Sequence, residues 1–296
     1  MRSLGLFNVL VAPVLASVMW GSMAMADDGA VIKHQFIATD ESRAQLIHVN
    51  EFNPNENWAV ELPGNREVHL LSEGRVLVNT LTGYREYDVQ TGKMLKDVSR
   101  WKGVQSAVRT ENGHTFVANS NEIIELDAED NEVKSYDLKM GKFFRQLRFS
   151  EEGDFLFTSA KTKVKQVKKD GTVVRELDLA KAVSKAAKPY GIEPDSKGHF
   201  WVSTGYGGQL IELDSDWKVV GLLPEKLEQD GFKMHFISQI QHMDNGNIML
   251  AHWTGHKPMD SKKAPQLLEF NRQGELVWKW HDAEMAGTLH GIIILQ

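Results

Sequence analysis

The chain contains no cysteine. That absence excludes structural disulfides, thiolate zinc sites, covalent c-type haem and a cysteine nucleophile. The chain also has no basic surplus: 34 Lys and Arg stand against 40 Asp and Glu, a formal net charge of −6. Such a chain is a poor match for a phosphate backbone, so no nucleic-acid partner is expected. No Ser/Gly-rich or Pro-rich linker interrupts it, and beyond residue 26 no apolar run is long enough to span a membrane as a helix.

The beginning differs. Arg2 precedes the apolar stretch LGLFNVLVAPVLASVMW, and Ala24-Met25-Ala26 forms a small-x-small site before Asp27. This predicts a secretory signal peptide over residues 1–26, cleaved between Ala26 and Asp27, with export to the periplasm or beyond. No Cys follows to carry a lipid. Removing the segment removes one Arg and no acid, so the charge moves from −6 to −7. Residues 27–296, about 270 of them, suffice for one domain and little else.

What is present is a phrase that recurs with altered wording. HLLSEGRVLVN surrounds Gly74, AVRTENGHTFVAN surrounds Gly113 and QLRFSEEGDFLFTS surrounds Gly153. GIEPDSKGHFWVST and QIQHMDNGNIMLAH follow around Gly198 and Gly246. Each is followed by a second pair of strands around another turn, as in LLEFNRQGELVWKW. The glycines lie 39 to 48 residues apart. That is the period of four-stranded propeller blades. Phe155 and Phe157, like Phe200 and Val202, alternate with other residues and so can share one face of a strand. Asn112-Gly113, Asn245-Gly246 and Asp170-Gly171 supply the positive φ of hairpin turns. A β-sandwich does not require the same two-hairpin phrase five times.

The ends complete the count. HGIIILQ, residues 290–296, reads as a first strand cut off before its turn. HQFIATD, AQLIHVN and NWAVEL supply three strands near the start. The expected fold is therefore all-β, a six-bladed β-propeller spanning 27–296. Its closing blade is built from one C-terminal and three N-terminal strands, which leaves no free edge where the circle joins.

Equivalent positions before each innermost strand form a ring at one tunnel mouth. Aligned on the turn glycines, they are His69 or Val68, Gln105, Arg145, Tyr190, Ser238 and His290, with Gln146 and Gln239 one step further in. Two long loops reach the same rim. Residues 224–238 carry His235, and residues 251–265 carry His252, Trp253 and His256. Arg145 can hold an anion through its forked donors, and Tyr190 can donate its hydroxyl or offer a ring face. His290 can serve as base, acid or hydrogen-bond donor, and Trp253 and Tyr206 offer stacking surfaces. The candidate ligand-binding set is Gln105, Arg145, Tyr190, His235, Gln239, His252, Trp253, His256 and His290. The alternative for these polar groups is a tunnel filled with ordered water. No metal motif is present, since i,i+4 histidines share a face only on a helix. No metal and no cofactor are expected.

The wording of the repeats resembles known propeller families. YDVQTGKML and LLEFNRQGELVWKW resemble the outer hairpin of bacterial PQQ-like repeats. HMDNGNIMLAHW and LHGIIIL resemble inner strands of the same superfamily, arylsulfotransferase-like members included, and GIEPDSKGHFWVST resembles NHL and lyase-type repeats. The resemblance covers nearly the whole of 27–296 and is specific for fold rather than chemistry. Quinone-binding members are much longer, with eight blades and a calcium site, so that cofactor is not implied. Lactonase-type propellers hold a divalent metal with Glu, Asn and Asp, and the aligned ring offers no carboxylate. WD signatures are absent. Arylsulfotransferase-like enzymes use histidine and arginine near the tunnel; His290 and Arg145 are the residues available for such parts, without a motif match.

Two functional classes fit. One is an exported, non-catalytic propeller that binds a small anionic or sugar-like ligand, or a periplasmic protein partner. The other is a metal-independent lyase, transferase or hydrolase that uses His290 or His235 with Tyr190 and Arg145. The lack of any nucleophile, metal or cofactor fingerprint favours the first.

Overall fold

The computed structural model describes residues 31–138, 144–159 and 161–296; the signal-peptide expectation for residues 1–26 lies outside them. Between the strands the sequence repeats one turn. In Thr110–His114 the Gly113 N–H donates to the Thr110 carbonyl and the Thr110 N–H donates to the His114 carbonyl. This is a type I turn closed by a residue in the left-handed region, one residue longer than the two-residue hairpin that Asn-Gly suggests. Gly113 has φ +87° and Gly246 φ +85°, so glycine is required for the reason expected, in a different turn. In the second hairpin of the fifth blade that position is Trp217, at φ +63°, its ring buried against the core.

Lys33–Gln296 forms a six-bladed propeller. Every blade is an antiparallel four-stranded sheet. Blade 1 comprises Leu289–Ile294, Gln35–Asp40, Gln45–Asn50 and Trp58–Glu61, in that spatial order. Blade 2 runs from Val68–Leu71 to Met94–Ser99 and blade 3 from Ser106–Arg109 to Glu132–Asp137. Blade 4 runs from Leu147–Phe149 to Val173–Asp178, blade 5 from Gly191–Pro194 to Val219–Leu223, and blade 6 from Phe236–His242 to Leu276–Trp280. The termini join as expected: Ala38 pairs with Ile292 and Phe36 with Ile294. Leu289, Ile292 and Ile294 are buried there. Each contributes roughly 1.5–3 kcal/mol by burial, which keeps the last strand in the sheet.

The apolar residues face neighbouring blades. Six clusters fill the six inter-blade spaces. In one of them Phe36, Ile47 and Leu289 of blade 1 meet Met249, Leu267 and Trp280 of blade 6. Trp58 lies over Gly92 of blade 2 and donates its Nε1–H to the Val89 carbonyl at 3.0 Å. The segment before Pro189 forms one helical turn, Leu179–Ala182, with the Asp178 side chain accepting from the Ala180 N–H. Lys163 and Lys165 lie on the third of the four strands of blade 4, not at its edge. Val173–Asp178 pairs with that strand, and both lysines pair with Glu176.

The tunnel is bolted by polar groups rather than filled with grease. Glu67, fully buried just before blade 2, accepts from the Ser106 hydroxyl and the Ala107 N–H of blade 3. Arg148 of blade 4 donates to Glu67 at 3.0 Å and to Glu193 of blade 5 at 2.9 Å. Gln239 of blade 6 reaches across to blade 2: its Nε2 donates to the Val68 carbonyl at 2.7 Å, and its Oε1 accepts from the Val68 N–H at 3.0 Å. This clamp passes over Gly291 of blade 1. A Cβ there would lie 2.9 Å from Gln239 Oε1 and 3.1 Å from the Glu67 Cα. The carboxylate that the aligned ring lacked is thus present, one residue before the aligned positions. Burial alone would raise the Glu67 carboxyl, but Arg148, His69 and Ser106 outweigh it and hold it at about 2. Among the described residues no cluster of three or more His, Asp and Glu forms a metal cage, and no helix is long and apolar enough to cross a membrane.

Candidate functional site

The site forms where the strand direction demands it. Connections entering an innermost strand, and loops joining second to third strands, emerge at the same end of every blade. At that end Tyr190 and Phe236 precede or begin the inner strands of blades 5 and 6, and Trp253 ends the second strand of blade 6. The three rings form a buried aromatic cluster of their own. Tyr206, on the loop after the second strand of blade 5, stands edge-on to Phe236 at 4.9 Å and is half exposed.

Two polar assemblies flank this cluster. The first is centred on His290, which is 3 % exposed. Its ring stacks on Tyr190 at 5.4 Å and lies 5.4 Å from Trp253. Its Nε2 is 3.2 Å from Glu41 Oε2. Glu41 also accepts the Trp253 Nε1–H at 2.9 Å and sits 3.6 Å from Arg66. Burial alone would raise the Glu41 carboxyl; His290, Arg66 and Trp253 hold it down at about 2. Burial pulls the His290 imidazole below its ordinary value, against the pull of Glu41. Both directions fit a neutral ring that donates Nε2–H to a carboxylate. Nδ1 is then the lone-pair nitrogen, and it is buried with no hydrogen-bond partner among the described residues.

The second assembly is a cavity of about 230 Å³ lined by Arg145, Lys161, Lys188, Pro189, Tyr190, Tyr206 and Phe236. Arg145 donates to its neighbour's carbonyl, Phe144 O, at 2.9 Å. No carboxylate of a described residue lies within ion-pair distance of it. Burial lowers the Arg145 guanidinium from its ordinary value, and Arg66 lowers it further, while Tyr190 and Glu41 act the other way. Burial pushes the Tyr190 hydroxyl up to about 12, so it is a donor at neutral pH. The Lys188 ammonium lies 5.6 Å from the Tyr206 ring centre. Three cations and three aromatic rings therefore share one small recess.

The other expected site residues divide. His235 is exposed, stacked on Trp253 at 6.2 Å and edge-on to Tyr206 at 5.7 Å, so it borders the cluster. His256 is exposed, edge-on to Trp253 at 4.5 Å, with Nδ1 3.8 Å from Glu41. Trp253 is buried, with its N–H on Glu41, so it is a wall of the cluster rather than an open stacking face. His252 is sealed in the blade: Nε2 accepts from the His235 N–H at 2.8 Å and Nδ1 donates to the Pro265 carbonyl at 2.8 Å. Neither nitrogen is left for a ligand. Gln239 is likewise spent on the Val68 clamp. Gln105 is half exposed, with its amide on the Gly103 carbonyl at 3.4 Å, and makes no hydrogen bond to the aromatic cluster. Glu41, Arg66, Lys161, Lys188 and Phe236 were not singled out from the sequence. Loop position alone marks Glu41 and Lys161, which sit on loops after second strands.

No family model and no curated protein sequence matches the chain. Solved structures do, and they are propellers. A protein of unknown function from Bacteroides caccae superposes with a TM-score of 0.75 at 19 % identity, covering 90 % of this chain and 100 % of its own. A streptogramin B lyase superposes with a TM-score of 0.56 at 13 % identity, over 84 % of this chain and 80 % of its own. A catalytically inactive histidine-to-alanine variant of virginiamycin B lyase from Staphylococcus aureus, solved with quinupristin, gives 0.55 at 11 % identity over 85 % of each chain. At these identities the likeness concerns the fold.

The geometry limits the chemistry. The cavity presents donors and positive charge but no carboxylate or amide side chain. His290 lies behind Tyr190 and Trp253 rather than on the cavity wall. Anion recognition therefore needs no rearrangement, whereas proton transfer by His290 needs Tyr190 or Trp253 to move.

Proposed function

We propose that this chain is an exported propeller of the PQQ-like and NHL-like kind that binds a small anionic molecule at one tunnel mouth. The observation that carries the reading is Arg145: a half-buried guanidinium with no carboxylate partner, lining a recess with two lysines. A buried cation without a counter-charge is costly, and a ligand carboxylate, sulfate or phosphate would relieve that cost through charge-assisted, forked hydrogen bonds. Export rests on residues 1–26 and the absence of cysteine. The test is a thermal-shift screen of carboxylates, sulfate esters and phosphates, repeated on Arg145→Ala. An anion that stabilises both proteins equally does not bind at this recess, and the reading falls if every stabilising anion behaves so.

A second reading is favoured by one observation, the unpartnered His290 Nδ1 backed by Glu41. In that reading His290 is a general base exposed by movement of Tyr190, in the service of a lyase or transfer reaction. Loss of catalysis on removing a histidine from a lyase of the same fold supports it only by analogy. Amide-proton and imidazole NMR, with and without a stabilising anion, tests it. An imidazole that stays buried and shows no change on ligand addition argues against the base.

A further inference from the structure

We infer that the ligand is a planar aromatic acid: one ring of benzoate size carrying a single carboxylate. This rests on the reading that the recess binds an anion, and adds the chemical class. The recess is small. About 230 Å³ falls below the roughly 300–1,000 Å³ typical of pockets for drug-sized molecules, so it takes one ring and a short substituent.

The walls decide what that ring is. Tyr190, Tyr206, Phe236 and Pro189 supply the apolar surface. Phe236 stands edge-on to Tyr206 at 4.9 Å and to Tyr190 at 5.5 Å. Rings at right angles present faces and edges together, and a further ring can join them in the offset or T-shaped arrangements that aromatic quadrupoles prefer. Tyr206 is 48 % exposed, so part of its ring is accessible to a ligand beside Lys188. Lys188, over that ring, and Arg145, beside Tyr190, place positive charge next to the recess.

The same walls disfavour a sugar acid. A polyol brings several hydroxyl donors that must find acceptors once buried. None of the seven lining side chains is a carboxylate or an amide, and three are cations that only donate. Beyond the Tyr190 and Tyr206 hydroxyls no lining side chain accepts, so most buried hydroxyl donors of a polyol would go unpaired, and a site rejects such a ligand. An aromatic acid needs donors only for its carboxylate, and Arg145 and Lys188 on the lining can supply them.

The experiment is a calorimetric or ligand-observed NMR titration of the purified protein with benzoate, cyclohexanecarboxylate, glucuronate and benzyl alcohol. Benzoate is expected to bind, with cyclohexanecarboxylate about five- to ten-fold weaker, the factor that an aromatic pair supplies. Glucuronate and benzyl alcohol are expected to bind at least about ten-fold more weakly than benzoate. Arg145→Ala should weaken benzoate at least about ten-fold. Tyr206→Leu should abolish the preference for benzoate over its saturated analogue while keeping carboxylate binding. Both positions are at the rim, and far-UV circular dichroism with a melting curve shows whether each variant is folded; Tyr206→Phe, which keeps the ring, should retain the preference. Equal binding of benzoate and cyclohexanecarboxylate, or tighter binding of glucuronate, overturns the aromatic class and leaves the anion reading standing. No binding of any of the three acids overturns the aromatic-acid class, and the anion reading falls with it only if sulfate esters and phosphates also fail to bind.

Discussion

Removing the charge of Glu67 should destabilise the propeller by about 3 kcal/mol at neutral pH. Two independent routes give that size. Deleting one partner of a buried ion pair costs about 3–5 kcal/mol, and Arg148 keeps Glu193 at 2.9 Å, which places this case at the low end. Alternatively, the carboxyl is held at about 2 against an ordinary 4.5, and each unit is about 1.4 kcal/mol, again about 3 kcal/mol for a fully buried group. For a chain of this size the loss corresponds to a fall of about 5 °C in melting temperature. Glu67→Gln is the cleanest substitution, since its carbonyl oxygen still accepts from Ser106 and the Ala107 N–H. The sign of the pH effect follows from the lowered carboxyl. Its contribution is fully present above the unfolded value near 4.5 and is lost as the pH falls from there toward 2. Melting curves followed by circular dichroism from pH 7 to pH 2.5 should therefore show wild type and Glu67→Gln far apart at pH 7 and converging below pH 4. A gap under about 1 °C at pH 7, or one that stays constant down to pH 2.5, refutes the argument that this carboxylate bolts the blades through its charge.

Gly291→Ala pushes a methyl group into the Gln239–Val68 clamp and toward the Glu67 backbone, and should cost about 1–3 kcal/mol by overpacking. An unchanged melting temperature would show that the clamp is not tightly fitted over the closing strand. His252, with both ring nitrogens engaged, is held by burial at about 4 and should stay neutral well below pH 6 in an imidazole NMR titration. Because its folded value lies below the unfolded 6.5, it contributes stability above pH 6.5 that is lost as the pH falls toward 4. Titration of His252 near 6.5 in the folded protein would contradict the sealed geometry.

The architecture was legible because each blade must solve the same problem locally. Its first turn returns to a glycine at positive φ, and its strands alternate, so Gly113 and Gly246 announce their blades without knowledge of the others. Closure was legible for the same reason: HGIIIL reads as a strand wanting a partner, and Ala38 opposite Ile292 supplies it. The site was legible only where the repeat register carries it, at Arg145, Tyr190 and His290. Glu41 lies 249 residues before His290 and meets it only because the last strand returns to the first blade. Lys161 and Lys188 stand in segments of their own, and nothing local says that loops of blades 4 and 5 share a recess. Glu67 escaped the aligned ring by one residue. A strand alternates faces at every step, so that shift decides whether a side chain points into the tunnel or into a blade. His252 shows the converse error: a histidine beside a tryptophan on a long loop looks available, and only its two backbone partners show that it is not.

Charge supplies the last step. The chain carries a formal −6, so an acid approaching it meets no long-range attraction from the molecule as a whole. Recognition must then come from the recess, where Arg145 is half buried and Lys188 is exposed. Salt separates these contributions. The screening length falls from about 30 Å at 0.01 M to about 10 Å at 0.1 M, and it weakens exposed charges far more than a desolvated contact. Benzoate affinity should therefore fall less than about ten-fold between 0.01 and 0.3 M salt. Lys188→Ala should remove most of that dependence while changing the affinity at 0.3 M little, whereas Arg145→Ala should weaken binding at both. If Lys188→Ala and Arg145→Ala cost the same at 0.3 M, the contact is a diffuse cationic patch, and the half-buried guanidinium has no special part in it.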